Sequence, residues 1–121
     1  MNYESLITLD STTRPGVVFT IRRMSLGRRI ELTTRLRELL SKIEFLEAGQ
    51  RPAESLEAAI VGTEIEKAYL AWGLAGISGL EVDGQAATPE TLAAAGPEDL
   101  AREIVEAIKA EAGLTQAERK N

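Results

Sequence analysis

The segment from Ser25 to Leu74 reads SLGRRIELTTRLRELLSKIEFLEAGQRPAESLEAAIVGTEIEKAYLAWGL, and two helical patterns follow one another in it. The first places apolar residues at alternating intervals of four and three, the spacing of a helix packed along another helix. Its stripe contains Leu32, Leu36, Leu39, Ile43 and Leu46, with Leu26 and Ile30 extending it and Leu40 widening it. Ser25 is suited to cap this helix, which is predicted to run to about Ala48 and to end at Gly49.

The second pattern has apolar residues at the same alternating intervals. Its stripe contains Ala58, Val61, Ile65, Ala68, Trp72 and Ala75. Pro52 suits the first turn, so the second helix is predicted from about Ala53 to Leu74 or slightly beyond. The short connection requires the two helices to be antiparallel, as in an αα-hairpin. Three regularly spaced glycines would either admit another backbone closely or unravel the helix, and we favour the second interpretation for Gly73, Gly76 and Gly79.

A β-hairpin is predicted before these helices, over about residues 4–22. Residues 6–9 are apolar, residues 17–21 are β-branched and aromatic, and the stretch between them is dense in turn-forming residues. A lone hairpin is unstable in water, so we expect it to pack on the helices.

Smaller elements are predicted after the helical hairpin. Asp83 and Gly84 indicate a turn between two short extended pieces, and Thr88 followed by Pro89 opens a short helix. A last helix over about residues 97–111 should end at Gly113 and bury Leu100, Ile104, Val105 and Ile108. The predicted fold is therefore mainly α (α+β), with the N-terminal β-hairpin packed on a small helical bundle. It forms one domain over residues 1–114, followed by a flexible tail over residues 115–121.

The composition of the 121 residues excludes several classes of protein. There is no Cys and no His, so disulfides, thiolate metal sites and the commonest general base are absent. No apolar run approaches the length of a membrane span and no secretory signal is recognisable, so a cytoplasmic location is expected. The formal charge of −5 is uneven: residues 1–42 carry eight basic and four acidic side chains, and residues 43–121 carry six and fifteen.

Three pairs of glutamates lie close together in the sequence. They are Glu64 with Glu66, Glu103 with Glu106, and Glu44 with Glu47. Catalytic pairs need partial burial to separate their pKa values, whereas these fall on the polar faces of amphipathic helices, so a solvated surface is their expected role. No phosphate-binding loop, dinucleotide fingerprint or nucleophile elbow is present. The sequence therefore predicts a protein that is not an enzyme and uses no metal or cofactor.

Two groups of residues are candidates for binding a partner. The first brackets the junction between strand and helix and comprises Arg22, Arg23, Arg28 and Arg29. Such a cluster could meet the phosphates of a nucleic acid, but the acidic chain and the scarcity of aromatic residues favour a surface that faces the acidic half instead. The second group is Tyr69 and Trp72, whose rings either cover the core, the commoner role, or anchor a partner helix.

The order of motifs after residue 65 resembles a known family. The run YLAWGL at residues 69–74 leads to ISGLEVDG at 77–84, ATPETL at 87–92, GPEDL at 96–100 and the ending GLTQAERKN at 113–121. This order is similar to that of tail assembly chaperones, which long-tailed bacteriophages and prophages encode just upstream of the tape measure protein.

The resemblance implies a non-enzymatic protein of the host bacterial cytoplasm that binds the tape measure protein, keeps it soluble and leaves before the virion is complete. It also implies a longer form, made by ribosomal frameshifting, that helps to recruit tail tube subunits. A homo-oligomer is expected because the two apolar stripes exceed what one helical hairpin must bury. The expected partner-binding residues, chosen by charge and size, are Arg28, Arg29, Arg35, Tyr69 and Trp72.

Two alternative functions are open at the level of the sequence. A structural head–tail connector would have a similar helical domain, but it would be present in finished particles at a fixed copy number. A small nucleic-acid-binding regulator would lose its affinity as the salt concentration is raised.

Overall fold

A computed structural model describes residues 1–49 and 51–113 of the chain. The elements follow in the order β1 (Leu6–Asp10), β2 (Val18–Arg22), α1 (Leu26–Ala48), α2 (Pro52–Gly73), β3 (Leu74–Ser78), β4 (Glu81–Val82), β5 (Gln85–Ala86), α3 (Pro89–Ala95) and α4 (Glu98–Glu111). The predicted fold class is confirmed: helices dominate, α1 and α2 form a hairpin, and an antiparallel β-hairpin precedes them. The predicted tail falls outside the described residues.

The sheet has a third strand that the sequence did not predict. β2 lies in the middle, with β1 and β3 antiparallel on either side, and Phe19 is opposite both Leu9 and Ile77. Gly73 and Gly79 flank β3, and each matches one of the two interpretations of the glycine spacing: Gly73 ends the helix, and Gly79 admits another backbone closely. The helix ends at Gly73, where an added Cβ would lie 2.6 Å from the Ile108 side chain. Gly79 has a φ of 82° and closely approaches the Gly16 backbone.

The core lies between this sheet, α4 and the second half of α2. It contains the buried strand residues Phe19 and Ile21, the helix residues Val61 and Trp72, and Leu92 from α3. The predicted core face of α4 is confirmed, since all four of its residues are buried: Leu100, Ile104, Val105 and Ile108. Residues distant in sequence therefore meet around one amphipathic helix.

The predicted helix caps are confirmed where the structure describes them. The Ser25 hydroxyl accepts a hydrogen bond from the backbone N–H of Arg28 at 3.2 Å. Thr88 and Thr91 form a reciprocal capping box at the start of α3. Gly113 follows α4 with a φ of 76°, a conformation that favours glycine.

The predicted apolar stripes are only partly confirmed. Along α1, Leu32 and Leu36 are buried, and the next three stripe residues, Leu39, Ile43 and Leu46, pack against the core from a partly buried position. The extension was wrong, because Leu26, Ile30 and Leu40 are 87%, 70% and 46% exposed. At about 100° per residue, Ile30 and Leu32 point to nearly opposite sides of the helix. Ala75 was also wrongly placed, since it is an exposed residue of β3 and not of α2.

Candidate partner-binding surfaces

The α1–α2 hairpin extends beyond the core as a two-helix arm. We define the hairpin arm as residues 38–49 and 51–60. Ala58 is the only one of these described residues that is buried. α1 packs mainly against α2, whereas α2 continues into the core and contacts α3 and α4. The arm is therefore held together by one helix–helix interface, and the outer faces of both of its helices are open.

Large apolar side chains lie on those outer faces. Phe45 is 75% exposed, Leu56 is 67% exposed and Ile60 is 50% exposed, in addition to Leu40. Leu56 and Ile60 are four residues apart, so they lie one helical turn from each other on one face of α2. An exposed apolar pair of this kind is typical of a helix face that contacts a partner. The sequence analysis did not identify Phe45, Leu56 or Ile60, because they lie outside the stripes; their apolar character was the only indication.

A polar pocket lies where β2, the first turns of α1 and the end of α2 meet. This arginine pocket has a volume of about 370 Å³ and is lined by Arg22, Arg28, Glu31, Arg35, Ala71 and Trp72. Arg22 Nε donates to the Trp72 carbonyl oxygen at 3.0 Å. Arg28 Nη1 donates to the carbonyl oxygens of Ser5 at 2.6 Å and Arg23 at 2.9 Å. Backbone carbonyls thus fix two of the three guanidinium groups.

The structure brings together three of the five residues that were predicted to bind a partner. Arg28, Arg35 and Trp72 line the arginine pocket. Arg29 Nη2 instead donates to the Ala112 carbonyl oxygen at 2.9 Å, at the C-terminal end of α4. Tyr69 packs against the core, and the Lys109 ammonium lies 5.3 Å from the centre of its ring. The predicted residues therefore do not form one continuous surface.

Trp72 is a core residue, which is the commoner of the two roles considered for its ring. Its side chain is 4% exposed and belongs to the core, which confirms the interpretation of a core ring. The indole is therefore not displayed on the surface as an anchor for a partner. Its backbone carbonyl nevertheless contributes to the arginine pocket by holding Arg22.

Glu103 was wrongly placed on a solvated face. Its carboxylate is partly buried against the loop between β1 and β2, where Ser11 Oγ donates at 2.5 Å and the Thr12 backbone N–H at 2.7 Å. Burial raises the pKa of Glu103, but these hydrogen bonds and those from the side chains of Thr12 and Thr13 outweigh it and lower the pKa from 4.5 to about 2. Glu103 therefore joins α4 to the loop as an ionised hydrogen-bond acceptor.

A second cavity, also of about 370 Å³, lies between α2, α3 and α4. Arg102 lines it and pairs with two carboxylates, at 3.5 Å from Glu66 and 3.1 Å from Glu98. The guanidinium group of Arg102 is therefore paired with carboxylates of the fold, unlike those of the arginine pocket.

Three further findings concern the chain as a whole. In residues 1–49 and 51–113, no group of three or more acidic side chains is arranged to hold a metal ion. None of the helices in this part of the chain has the length and apolar character needed to span a membrane. Comparisons of the chain with protein-family models, with curated proteins and with solved structures gave no match.

Proposed function

We propose that the protein is a tail assembly chaperone whose hairpin arm binds the helical tape measure protein of a long-tailed phage. The observation that carries this proposal is the set of exposed apolar side chains on the arm: Leu40, Phe45, Leu56 and Ile60. The resemblance of residues 65–121 to tail assembly chaperones supports the choice of the tape measure protein as the partner.

The physical basis is the packing of one helix against another. An amphipathic helix recognises a partner through apolar residues one turn apart, which is the arrangement of Leu56 and Ile60. Each large side chain that becomes fully buried contributes roughly 1.5–3 kcal/mol, before the entropic cost of association is subtracted. A few such contacts give a weak individual site. Many copies along a long helical partner would then cover it and still be able to leave.

The setting of this activity is part of the proposal. The protein acts in the host bacterial cytoplasm, keeps the tape measure protein soluble and is absent from the mature virion. A longer frameshifted form helps to recruit tail tube subunits, and the chaperone associates with itself along the partner.

The test is co-expression with the tape measure protein encoded downstream, followed by affinity capture of the chain at moderate salt. The double variant Phe45→Ser/Leu56→Ser removes two exposed contacts from the arm and should retain at least tenfold less tape measure protein. Ile30→Ser is the matched control, because Ile30 is 70% exposed on α1 but outside the arm. Exposed substitutions change stability by about 0.5 kcal/mol or less, so both variants should fold.

Equal capture by the double variant and the wild type would refute the role of the arm. Failure of the wild-type chain to keep the tape measure protein soluble would refute the chaperone function itself. Purified particles provide an independent check, since a chaperone is absent from them and a head–tail connector is present at a fixed copy number.

A further inference from the structure

The arginine pocket concentrates positive charge within an acidic chain. Three arginines and one glutamate line it, which gives a formal charge of +2, whereas the whole chain has a formal charge of −5. Arg28 and Arg35 are seven residues apart on α1, so two helical turns place them on the same face. Arg22 reaches the same pocket from the end of β2.

In the described part of the chain, the three arginines of the pocket form no ion pair. Among residues 1–49 and 51–113, no carboxylate lies within the 4.0 Å limit for an ion pair with Arg22, Arg28 or Arg35. Other arginines of the chain do have such partners, for example Arg14 with Asp99 at 3.1 Å. Neighbouring like charges repel one another, and an anion that binds between them removes that repulsion.

The pocket also retains hydrogen-bond donors for an anion. Each guanidinium group has five N–H donors, of which Arg22 uses Nε and Arg28 uses Nη1 on backbone carbonyls. In the described part of the chain, Arg35 makes no hydrogen bond through its guanidinium group. Because Arg22 and Arg28 are already held in place, the loss of side-chain freedom when an anion binds falls mainly on Arg35.

We propose that the arginine pocket binds the carboxylate of an acidic side chain from a partner protein. Guanidinium groups bind carboxylates through two parallel hydrogen bonds, and in the described part of the chain no hydrogen bond occupies the guanidinium donors of Arg35. Assigning the carboxylate to the tape measure protein rests on the proposed function, whereas the affinity of the pocket for a carboxylate does not.

The test is an NMR titration of the folded chain at constant ionic strength, which follows the arginine side-chain Nε–H signals. The probe is a tri-glutamate peptide blocked at both ends, and a blocked tri-glutamine peptide is the uncharged control. Tri-glutamate should shift the signals of Arg22, Arg28 and Arg35 with a saturable curve. The variant Arg35→Gln should weaken this binding about tenfold, as expected for the loss of a charge-assisted pair. Arg37→Gln, the same change two residues further along α1, should leave the affinity within about twofold.

Several results would overturn the proposal. Equal shifts with the two peptides, or equal effects of the Arg35 and Arg37 variants, would show that no carboxylate site exists in the pocket. Tighter binding of inorganic phosphate than of tri-glutamate would make it a phosphate site instead.

Capture of the tape measure protein separates this inference from the proposed function. Reduced capture by Arg35→Gln but not by Arg37→Gln would support the tape measure protein as the source of the carboxylate. Equal capture of the tape measure protein by Arg35→Gln and Arg37→Gln, with reduced capture by the arm double variant, would refute the assignment of the carboxylate to this partner. The proposed function would then stand. If the wild-type chain captures no tape measure protein, the proposed function fails. The peptide titration then still decides whether the arginine pocket binds a carboxylate.

Discussion

Replacing Glu103 by glutamine should destabilise the protein at neutral pH and have little effect in acid. The carboxylate accepts hydrogen bonds on both oxygens, at 2.5 Å from Ser11 Oγ on Oε1 and 2.7 Å from the Thr12 backbone N–H on Oε2. Thr12 Oγ1 donates a further bond at 2.8 Å. A neutral amide carries no charge to strengthen these bonds, and its NH₂ group is a donor where the carboxylate had an acceptor.

The expected magnitude follows from the pKa of Glu103. Burial raises this pKa, but the hydrogen bonds lower it further, from 4.5 to about 2. At about 1.36 kcal/mol per pH unit, the difference corresponds to roughly 3 kcal/mol. The side chain is only partly buried, so solvent screening reduces the expected contribution to about 1–2 kcal/mol. Because the pKa is lower in the folded chain, this stabilisation is present above about pH 4.5 and is lost as the pH falls toward 2.

The assay is equilibrium unfolding in urea at several pH values between 7 and 2. Glu103→Gln should lower the free energy of unfolding by about 1–2 kcal/mol at pH 7, and most of this difference from the wild type should disappear by pH 2. Glu106→Gln is the control, because Glu106 is an exposed glutamate on the same helix. Its effect should stay within about 0.5 kcal/mol throughout. A deficit for Glu103→Gln that is the same at pH 7 and pH 2, or no deficit at pH 7, would refute the reasoning.

Two further predictions concern packing, and thermal or urea unfolding checks both. Gly79→Ala should lower the free energy of unfolding by at least about 1–2 kcal/mol, since φ is 82° and the added Cβ would meet the Gly16 backbone. Gly76→Ala is the control, because no atom lies within 4 Å of its new Cβ, and its loss should be less than half as large. Ile104→Ala should cost about 2–5 kcal/mol because the side chain is fully buried in α4, whereas Ile30→Ala, at a site 70% exposed, should change stability by less than about 0.5 kcal/mol. Similar losses at the two isoleucines would contradict the assigned core.

The helices were predictable because their signals are local. Ser25 and Thr88 cap helices where the sequence indicated, and the spacing of the apolar residues in α4 identified its buried face. β3 was not predictable in this way. Its five residues, LAGIS, include alanine and glycine and directly follow a helix, so no period-two pattern marks them. The strand exists because β2 pairs with it across more than fifty residues of sequence.

The binding surfaces were predictable in part. Charge identified Arg28 and Arg35, but only folding shows that Arg22 joins them while Arg29 turns toward α4. The spacing of apolar residues identified the face by which α1 contacts α2. It does not predict how much of each helix is covered by the rest of the fold. The exposure of Phe45 follows from that coverage. Glu103 was misjudged for a related reason, since its hydrogen-bond partners lie about ninety residues away.

Among the described residues of the arm, only Ala58 is buried, while Leu39, Ile43 and Leu46 are partly buried, so the tip of the arm contributes little to the stability of the rest of the domain. Adding or removing seven residues in each helix would preserve the register of the two apolar stripes. It would move the tip by roughly 10 Å, at 1.5 Å per residue, without touching the sheet or α4. The length of the arm can therefore change without a change in the residues that form the core.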